Sequence, residues 1–191
     1  MKSVKGTKTE KNLLTSFAGE CQARMRYTYY AGVAKKEGFE QISAIFTETA
    51  DQEKEHAERM FKYLEGGEVQ IDYPFSAGTI STTPENLKQA AQGEEHEFND
   101  MYPAMADEAE REGFPEIAAM YRYISVAERY HARRYRKLLE NIEKGQVFKR
   151  PSKQLWRCRH CGYVHEGLSA PEICPSCLHA QAYYEIAAEN Y

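Results

Sequence analysis

The sequence has little that would suit a membrane or a nucleic acid as a partner. No run of about 18 apolar residues occurs, and the segment from Met1 to Lys8 has no apolar stretch of the kind found in signal peptides. The net charge is -4 and the pI is ≈ 5.9, so the chain offers no overall positive field. We therefore expect a cytoplasmic protein without nucleic-acid or membrane partners.

Cysteine is also scarce, with five residues in a chain of 191. A chain of this length builds a stable core without disulfides, and cysteines in a reducing compartment are more often metal ligands or free thiols. Four of the five are spaced as ligands.

What the chain does have is an internal repeat. The same Glu-x-x-His unit occurs at Glu53 to His56 and at Glu128 to His131, 75 positions apart. The surrounding residues repeat at that offset too, including Glu37-Gly38-Phe39 with Glu112-Gly113-Phe114. Residues i and i+3 share a helix face, so each unit directs a carboxylate and an imidazole at one point. Two such helices supply the core of a di-iron or di-manganese site, which also needs a Glu from each of two further helices.

Helical periodicity and helix punctuation predict four helices. We expect them at about Thr7 to Lys36, Phe39 to Leu64 or Glu65, Pro84 to Glu112 and Pro115 to Lys144. Short connections at Gly38 and Gly113 make two antiparallel hairpins, and the long stretch from Gly66 to Thr83 joins them. A long crossover between helical hairpins is the connectivity of ferritin-like bundles. The predicted fold is therefore mainly α, a ferritin-like four-helix bundle over residues 1–146.

The composition changes after Gly145. Gln146 to Gln154 reads as a linker, and the following segment is short, aromatic and cysteine-bearing. We expect residues 147–191 to hold this linker and a small β domain with four cysteines.

The remaining carboxylate ligands should come from the first and third helices. Glu20 and Glu94 are the leading candidates, but their offset is 74, whereas Tyr27 and Tyr102 return to 75. The third helix therefore has one extra residue between these positions, and we hypothesise that a local π-bulge accommodates it. Glu97, whose repeat partner is Gln22, adds a seventh ligand at i+3 from Glu94.

Seven ligands with five carboxylates suit iron or manganese rather than copper. The alternative, that these residues are ordinary solvated positions on charged helices, holds for any one of them alone, and the duplicated context argues against it for the set. Tyr27 and Tyr102 either orient ligand carboxylates and supply protons or are ordinary core tyrosines. Glu95 and His96 point away from the ligand face, and Cys21 reads as a small buried hydrophobe.

Two Cys-x-x-Cys units, Cys158 to Cys161 and Cys174 to Cys177, stand twelve residues apart. Four thiolates bind zinc as a structural ion or a single iron as a one-electron carrier. Trp156 and Gly162-Tyr163 resemble the rubredoxin pattern and favour iron, although the spacer is short and Leu178 stands where rubredoxins usually have glycine.

The two motif sets together, over the whole chain, resemble the rubrerythrin family. The resemblance implies that Glu53 and Glu128 bridge two irons, that Glu20 and Glu97 are terminal ligands to one of them, and that His56 exchanges with Glu97 on reduction. Glu94 and His131 would serve the other iron, and Cys158, Cys161, Cys174 and Cys177 a third. The implied activity is a non-haem peroxidase that reduces hydrogen peroxide to water in oxidative-stress defence.

The resemblance also implies partners. Electrons would come from rubredoxin or an NAD(P)H-dependent rubredoxin reductase, and a head-to-tail homodimer would bring one subunit's cysteine-bound iron to the other's di-iron centre. Three alternatives stay open from the residues: a ferroxidase that detoxifies iron, a non-enzymatic electron carrier or zinc-ribbon protein, and oxygenase or ribonucleotide-reductase-type chemistry on an organic substrate.

Overall fold

The computed structural model describes residues 2–190 and contains five α-helices and three strands in that range. The helices are α1 (Lys8–Lys36), α2 (Glu40–Phe61), α3 (Thr83–His96), α4 (Tyr102–Arg111) and α5 (Pro115–Glu143). The strands are β1 (Lys149–Cys158), β2 (Val164–Ser169) and β3 (Tyr184–Ile186). Within residues 2–190, no helix combines the length and the apolarity that spanning a membrane requires.

The helices form the two predicted hairpins. α1 packs along α2, and α5 packs along α3 and α4, which together make one long helix. Residues 62–82 cross from the first hairpin to the second without helix or strand. This confirms the ferritin-like connectivity, although α2 ends at Phe61 rather than at Leu64 or Glu65, because residues 62–64 tighten into turns with bonds from Tyr63 N to Met60 O and from Leu64 N to Phe61 O.

The repeated Glu-Gly-Phe segments form equivalent corners. Gly38 and Gly113 adopt φ values of +82° and +80°, a conformation that favours glycine at the end of a helix. Glu37 then accepts a hydrogen bond from Thr83 N at the start of α3, 2.9 Å away, and Glu112 accepts one from Thr9 N in α1 at 2.8 Å. Each hairpin therefore caps the first helix of the other, where a carboxylate stabilises the positive end.

The third predicted helix contains the predicted irregularity. Residues Glu97–Met101 form a π-helical turn between α3 and α4. The turn absorbs the residue by which the spacing from Glu94 to Tyr102 exceeds that from Glu20 to Tyr27. The π-bulge hypothesis is confirmed.

The apolar core is divided into two clusters along the bundle. One contains Tyr27, Tyr30, Phe46 and Tyr135, and the other contains Leu13, Met60, Tyr102 and Tyr121. Ionisable side chains are buried inside the bundle as well, among them Glu20, Glu53, Glu94, Glu128 and His131.

The C-terminal segment folds as an antiparallel sheet of strand order β2-β1-β3 over a small core that includes Trp156 and Tyr184. The linker prediction was wrong at its end, because β1 already begins at Lys149. Pro151 concealed this strand: it lies where the register shifts between Lys149 and Gln154, a place where a missing N–H is tolerated.

Candidate metal centre

Two groups of ligand atoms meet inside the bundle. The first comprises Glu20, Glu53, His56 and Glu128, and the second comprises Glu53, Glu94, Glu128 and His131. Within each group the ligand atoms lie within 4.8 Å of one another. Glu53 and Glu128 belong to both groups, which is the arrangement that two carboxylates bridging a pair of metal ions require.

The two Glu-x-x-His units face each other across the bundle, as the i, i+3 spacing predicts. Nδ1 of His56 lies 2.9 Å from Glu53 and 3.0 Å from Glu128. Nδ1 of His131 lies 2.8 Å from Glu128 and 3.2 Å from Glu53. Nδ1 of each imidazole therefore lies close to the carboxylate of its own helix and to that of the opposite helix.

The polar atoms of the two ligand groups fit metal ions. Glu20, Glu53, Glu94 and Glu128 are at most 1% exposed. Several of their oxygens, and Nδ1 of His131, lie close to other ligand atoms without forming an aligned hydrogen bond within residues 2–190: Glu20 Oε2, Glu53 Oε1, Glu94 Oε2 and both oxygens of Glu128. Buried carboxylates without partners are very costly unless a metal compensates their charge.

The electrostatics of the metal-free chain reflect this crowding. Burial raises the pKa of Glu20 well above its usual range, and the charges of Glu53 and Glu128 raise it further. Burial and the Glu53 charge raise the pKa of Glu94 in the same way. Burial opposes protonation of His56, but the neighbouring carboxylates of Glu128 and Glu53, which accept from the protonated imidazole, outweigh it and raise its pKa to about 10. Without metal, protons take the place of the missing positive charge.

Tyr27 and Tyr102 touch the ligand carboxylates in a crossed pattern. The Tyr27 hydroxyl donates to Glu94 Oε1 at 2.5 Å, and the Tyr102 hydroxyl donates to Glu20. Each phenol thus comes from one hairpin and holds a carboxylate of the other. They are buried tyrosines with a polar contact at the site rather than purely apolar core residues.

Glu97 lies outside both ligand groups. Its side chain lines a cavity of about 310 Å³ between α1, the π-helical turn and the crossover, together with Arg26, Tyr27 and Tyr73. Burial and the charges of Glu128 and Glu53 raise its pKa well above the usual range, and the Arg26 charge opposes the shift. The structure therefore has His56, and not Glu97, beside the shared carboxylates.

Cys158, Cys161, Cys174 and Cys177 converge to a second site in the C-terminal sheet. Their sulfurs are 3.8 Å apart between Cys158 and Cys177 and 3.7 Å apart between Cys161 and Cys174. A tetrahedron with metal–sulfur bonds of about 2.3 Å has sulfur–sulfur separations of about 3.8 Å. The four thiols are thus preformed for one tetrahedral metal ion.

Leu178, which departs from the rubredoxin pattern, has the left-handed backbone conformation that usually favours glycine. Leu178 has φ 61°, and its N–H donates to Cys174 O at 2.9 Å. Gly162 has φ 79° in the first knuckle, with its N–H donating to Cys158 O at 2.8 Å. The two knuckles are therefore equivalent in conformation, although only one has glycine.

Other predictions near the sites had mixed outcomes. Glu95 pairs with Arg136 at 2.5 Å and His96 is exposed, so neither faces the ligands, as predicted. The prediction for Cys21 was wrong, because this thiol is exposed. It is rotated from Glu20 by about 100°, which carries it to the outer face of α1.

Sequence reasoning missed Gln52. Its Oε1 lies 2.9 Å from Nε2 of His131, the ring nitrogen that faces away from the carboxylates. The available signal was its place next to Glu53, on a helix that already faces α5.

This arrangement defines a ferritin-like protein with a di-iron carboxylate site and a separate four-cysteine site of the rubredoxin type. Residues 11–139 match the family model described as Rubrerythrin, and residues 156–185 match the model of the rubrerythrin rubredoxin-like domain. The chain belongs to the rubrerythrin family, whose members are di-iron proteins of the oxidoreductase type.

Individual relatives are similar in sequence to this chain over its full length. The chain is 56% identical to a rubrerythrin of Porphyromonas gingivalis, over 100% of this chain and 95% of that protein. It is 54% identical to a rubrerythrin of Nitratidesulfovibrio vulgaris, with 100% of both chains covered. A solved structure of nigerythrin described as fully reduced and all ferrous has a TM-score of 0.64 and 29% identity, and covers 97% of this chain and 92% of that one.

Proposed function

We propose that this protein is a cytoplasmic peroxidase that reduces hydrogen peroxide to water. The observation that carries the proposal is the pairing, in one chain, of two ligand groups sharing Glu53 and Glu128 with a preformed four-thiol site. A di-iron centre can supply the two electrons that reduction of peroxide requires, and an iron held by four cysteines transfers electrons one at a time. Neither a storage subunit nor a simple electron carrier needs both.

We assign Glu53 and Glu128 as bridging ligands, because both belong to the two ligand groups. Glu20 and His56 complete one metal position, and Glu94 and His131 complete the other. Glu97 would replace His56 as a ligand in the oxidised protein. This exchange is supported by the partial exposure of the His56 side chain and by the charges of Glu128 and Glu53, which raise the pKa of the half-buried Glu97.

When bound, two ferrous ions supply two electrons side by side and act as Lewis acids toward the oxygen–oxygen bond, without releasing hydroxyl radical. Reduction of one peroxide to two waters also consumes two protons. We propose that a small substrate enters through the cavity beside Glu97, which Tyr73 also lines. We assign Glu97 and His56 to ligand exchange and proton movement at the site, and Tyr27 and Tyr102 to holding Glu94 and Glu20 in place.

We further propose that electrons reach the site across a head-to-tail homodimer. The domain that begins at residue 147 packs, over its described residues 147–190, at the end of the bundle of residues 2–146, where Phe148 stacks on Phe39 with ring centroids 6.4 Å apart. Glu53 follows Phe39 by 14 residues on α2, which is about 21 Å at 1.5 Å per residue. A second subunit bringing its four-cysteine site to the middle of the bundle would shorten this path. Turnover should then fall on dilution below the dimer's dissociation constant, and full turnover by a monomer would contradict this assembly.

The activity is tested by following NAD(P)H oxidation in the presence of a rubredoxin reductase. We expect oxidation that depends on both the protein and peroxide, with no oxygen evolved, which separates reduction from dismutation. The Cys161→Ser variant should lose steady-state turnover while its reduced bundle still reacts once with peroxide. Cys21→Ser, at an exposed thiol outside both sites, is the matched control. Oxidation of added ferrous iron without peroxide-dependent turnover would favour a ferroxidase instead.

A further inference from the structure

The two site histidines differ in what holds their outer nitrogens. Nε2 of His131 is 2.9 Å from Oε1 of Gln52, whereas Nε2 of His56 has no hydrogen-bonding partner in the part of the chain that the structure describes. We propose that Gln52 is a positioning residue that fixes His131 as a permanent ligand, and that Ala127, at the equivalent position of the repeat, leaves His56 free to depart. The proposal rests on the ligand exchange given above and adds the reason why one histidine moves and the other does not.

The repeat makes the comparison direct. Gln52 precedes Glu53 on α2 and reaches across to His131 on α5. At the offset of 75, Ala127 precedes Glu128 on α5 and is the position that corresponds to Gln52. A methyl group accepts no hydrogen bond, so Ala127 cannot hold His56 as Gln52 holds His131. We call the hydrogen bond between Gln52 and His131 the tether.

The amide of Gln52 is itself oriented by neighbours. Its Nε2 donates to Glu48 Oε1 at 3.4 Å, and Arg134 donates to the same oxygen at 2.6 Å. Arg134 also donates to Thr49 at 2.6 Å. With its NH₂ group directed at Glu48, the amide presents its oxygen to His131, and the chain of bonds ties α2 to α5.

None of this support recurs beside His56. Tyr123 stands at the position equivalent to Glu48 and is 77% exposed, and Ile124 stands at the position equivalent to Thr49. Arg59, equivalent to Arg134, donates to Tyr63 instead, at 2.9 Å. The tether and its supporting carboxylate are therefore confined to one half of an otherwise repeated site.

The physical consequence is a difference in the cost of moving each ring. A hydrogen bond from Nε2–H fixes the tautomer that presents Nδ1 to a metal, and loss of such a bond typically costs 10–100-fold in metal affinity or activity. Departure of His131 would break this bond in addition to a metal bond, whereas departure of His56 would not. The exposed fractions of the two side chains are consistent with easier departure of His56, since His56 is 16% exposed and His131 is 4% exposed.

The test is proton NMR of the iron-loaded, anaerobically reduced full-length protein, which reads solvent exchange of the two imidazole N–H signals of the site. We expect one slowly and one rapidly exchanging signal. Gln52→Leu should make the slow signal fast and weaken binding of the second ferrous ion by about 10-fold or more. Gln52→Glu retains an acceptor and should keep the slow signal.

The decisive variant is Ala127→Gln, which grafts the tether onto the other half. Both positions are partly exposed, so the substitution has room. It should make the second N–H signal slow, leave iron content unchanged and lower peroxide turnover by about 10-fold or more. Equal exchange of the two signals in the unmodified protein, or no effect of Ala127→Gln on exchange, would overturn the proposal. Unequal exchange without peroxide turnover would leave the tether standing and remove the peroxidase function instead.

Discussion

The hydroxyl of Tyr27 on α1 donates a 2.5 Å hydrogen bond to Oε1 of Glu94 on α3. Its repeat partner, Tyr102, donates to Glu20 in the opposite sense. The two hairpins are thus joined through the carboxylates of the metal centre. A phenol at this position limits how far a terminal carboxylate can turn when the occupancy of the site changes.

Replacing Tyr27 by Phe should slow peroxide turnover by about 10-fold or more, since it removes the partner that orients a ligand carboxylate. The substitution conserves the ring and its packing against Tyr135. Steady-state peroxide consumption is the measurement. Tyr121→Phe is the matched control, because its hydroxyl contacts Ser16 rather than a ligand. A Tyr27 variant as active as this control would show that the hydrogen bond is structural only.

Replacing Glu97 by Ala should leave the fold largely intact and slow turnover, because it removes the carboxylate that we propose exchanges with His56. Removal of a half-buried acid with a raised pKa should not destabilise the metal-free bundle. Circular dichroism and stopped-flow reaction with peroxide check the two parts. The control is Glu95→Gln on the same turn, whose carboxylate pairs with Arg136. An unchanged rate would remove Glu97 from the mechanism.

The stability of the metal-free protein should fall as the pH rises from about 6 to about 8.5. Burial, reinforced by neighbouring carboxylates, raises the pKa of Glu20 and Glu94, and carboxylate partners raise that of His56 to about 10 and that of His131 to about 12. The native chain then binds more protons than the unfolded chain above the ordinary pKa values, so each rise in pH favours unfolding.

Metal binding displaces those protons, so the stabilisation by ferrous iron should increase over the same range. Thermal unfolding at the two pH values, with and without metal under anaerobic conditions, measures both effects. The lowered pKa of Glu128, about 2, acts only in acid, whereas the lowered pKa of Cys161 and that of Cys174, about 6, act in the opposite direction within the four-cysteine sheet, so the prediction applies to unfolding of the helical bundle. A melting temperature of the metal-free protein that rises toward pH 8.5 would contradict it.

Leu178→Gly should stabilise the four-cysteine domain by about 1 kcal/mol, because a left-handed conformation costs an ordinary residue about 1–2 kcal/mol and costs glycine nothing comparable. The leucine side chain is 78% exposed, so little packing is lost. Thermal or denaturant unfolding of the metal-loaded protein measures the effect. Leu168→Gly, at an exposed leucine of β2, should destabilise instead. Equal effects of the two changes would refute the conformational explanation.

Much of the bundle was predictable because the same sequence pattern occurs in both of its helical hairpins. The duplicated Glu-x-x-His units placed His56 and His131 on facing helices, and the slip from 75 to 74 predicted the π-helical turn after Glu94. Both inferences use local spacing, which the helix converts directly into geometry.

The remainder depends on contacts between hairpins, which spacing does not encode. The sequence places Tyr27 near the site but does not say that it bonds Glu94 from the other hairpin. The tether from Gln52 to His131 likewise crosses from α2 to α5. Cys21 was misassigned because a cysteine is usually buried, whereas its rotation on α1 decided its exposure.

The most direct test is to load the chain with iron, reduce it anaerobically, and titrate it with hydrogen peroxide while the metal content and visible spectrum are recorded. The account predicts about three irons per chain, the sum of a di-iron and a tetrathiolate site, and faster reoxidation of the diferrous site by peroxide than by air. Zinc in the cysteine site, or rapid oxidation only by oxygen with uptake of further iron, would contradict it.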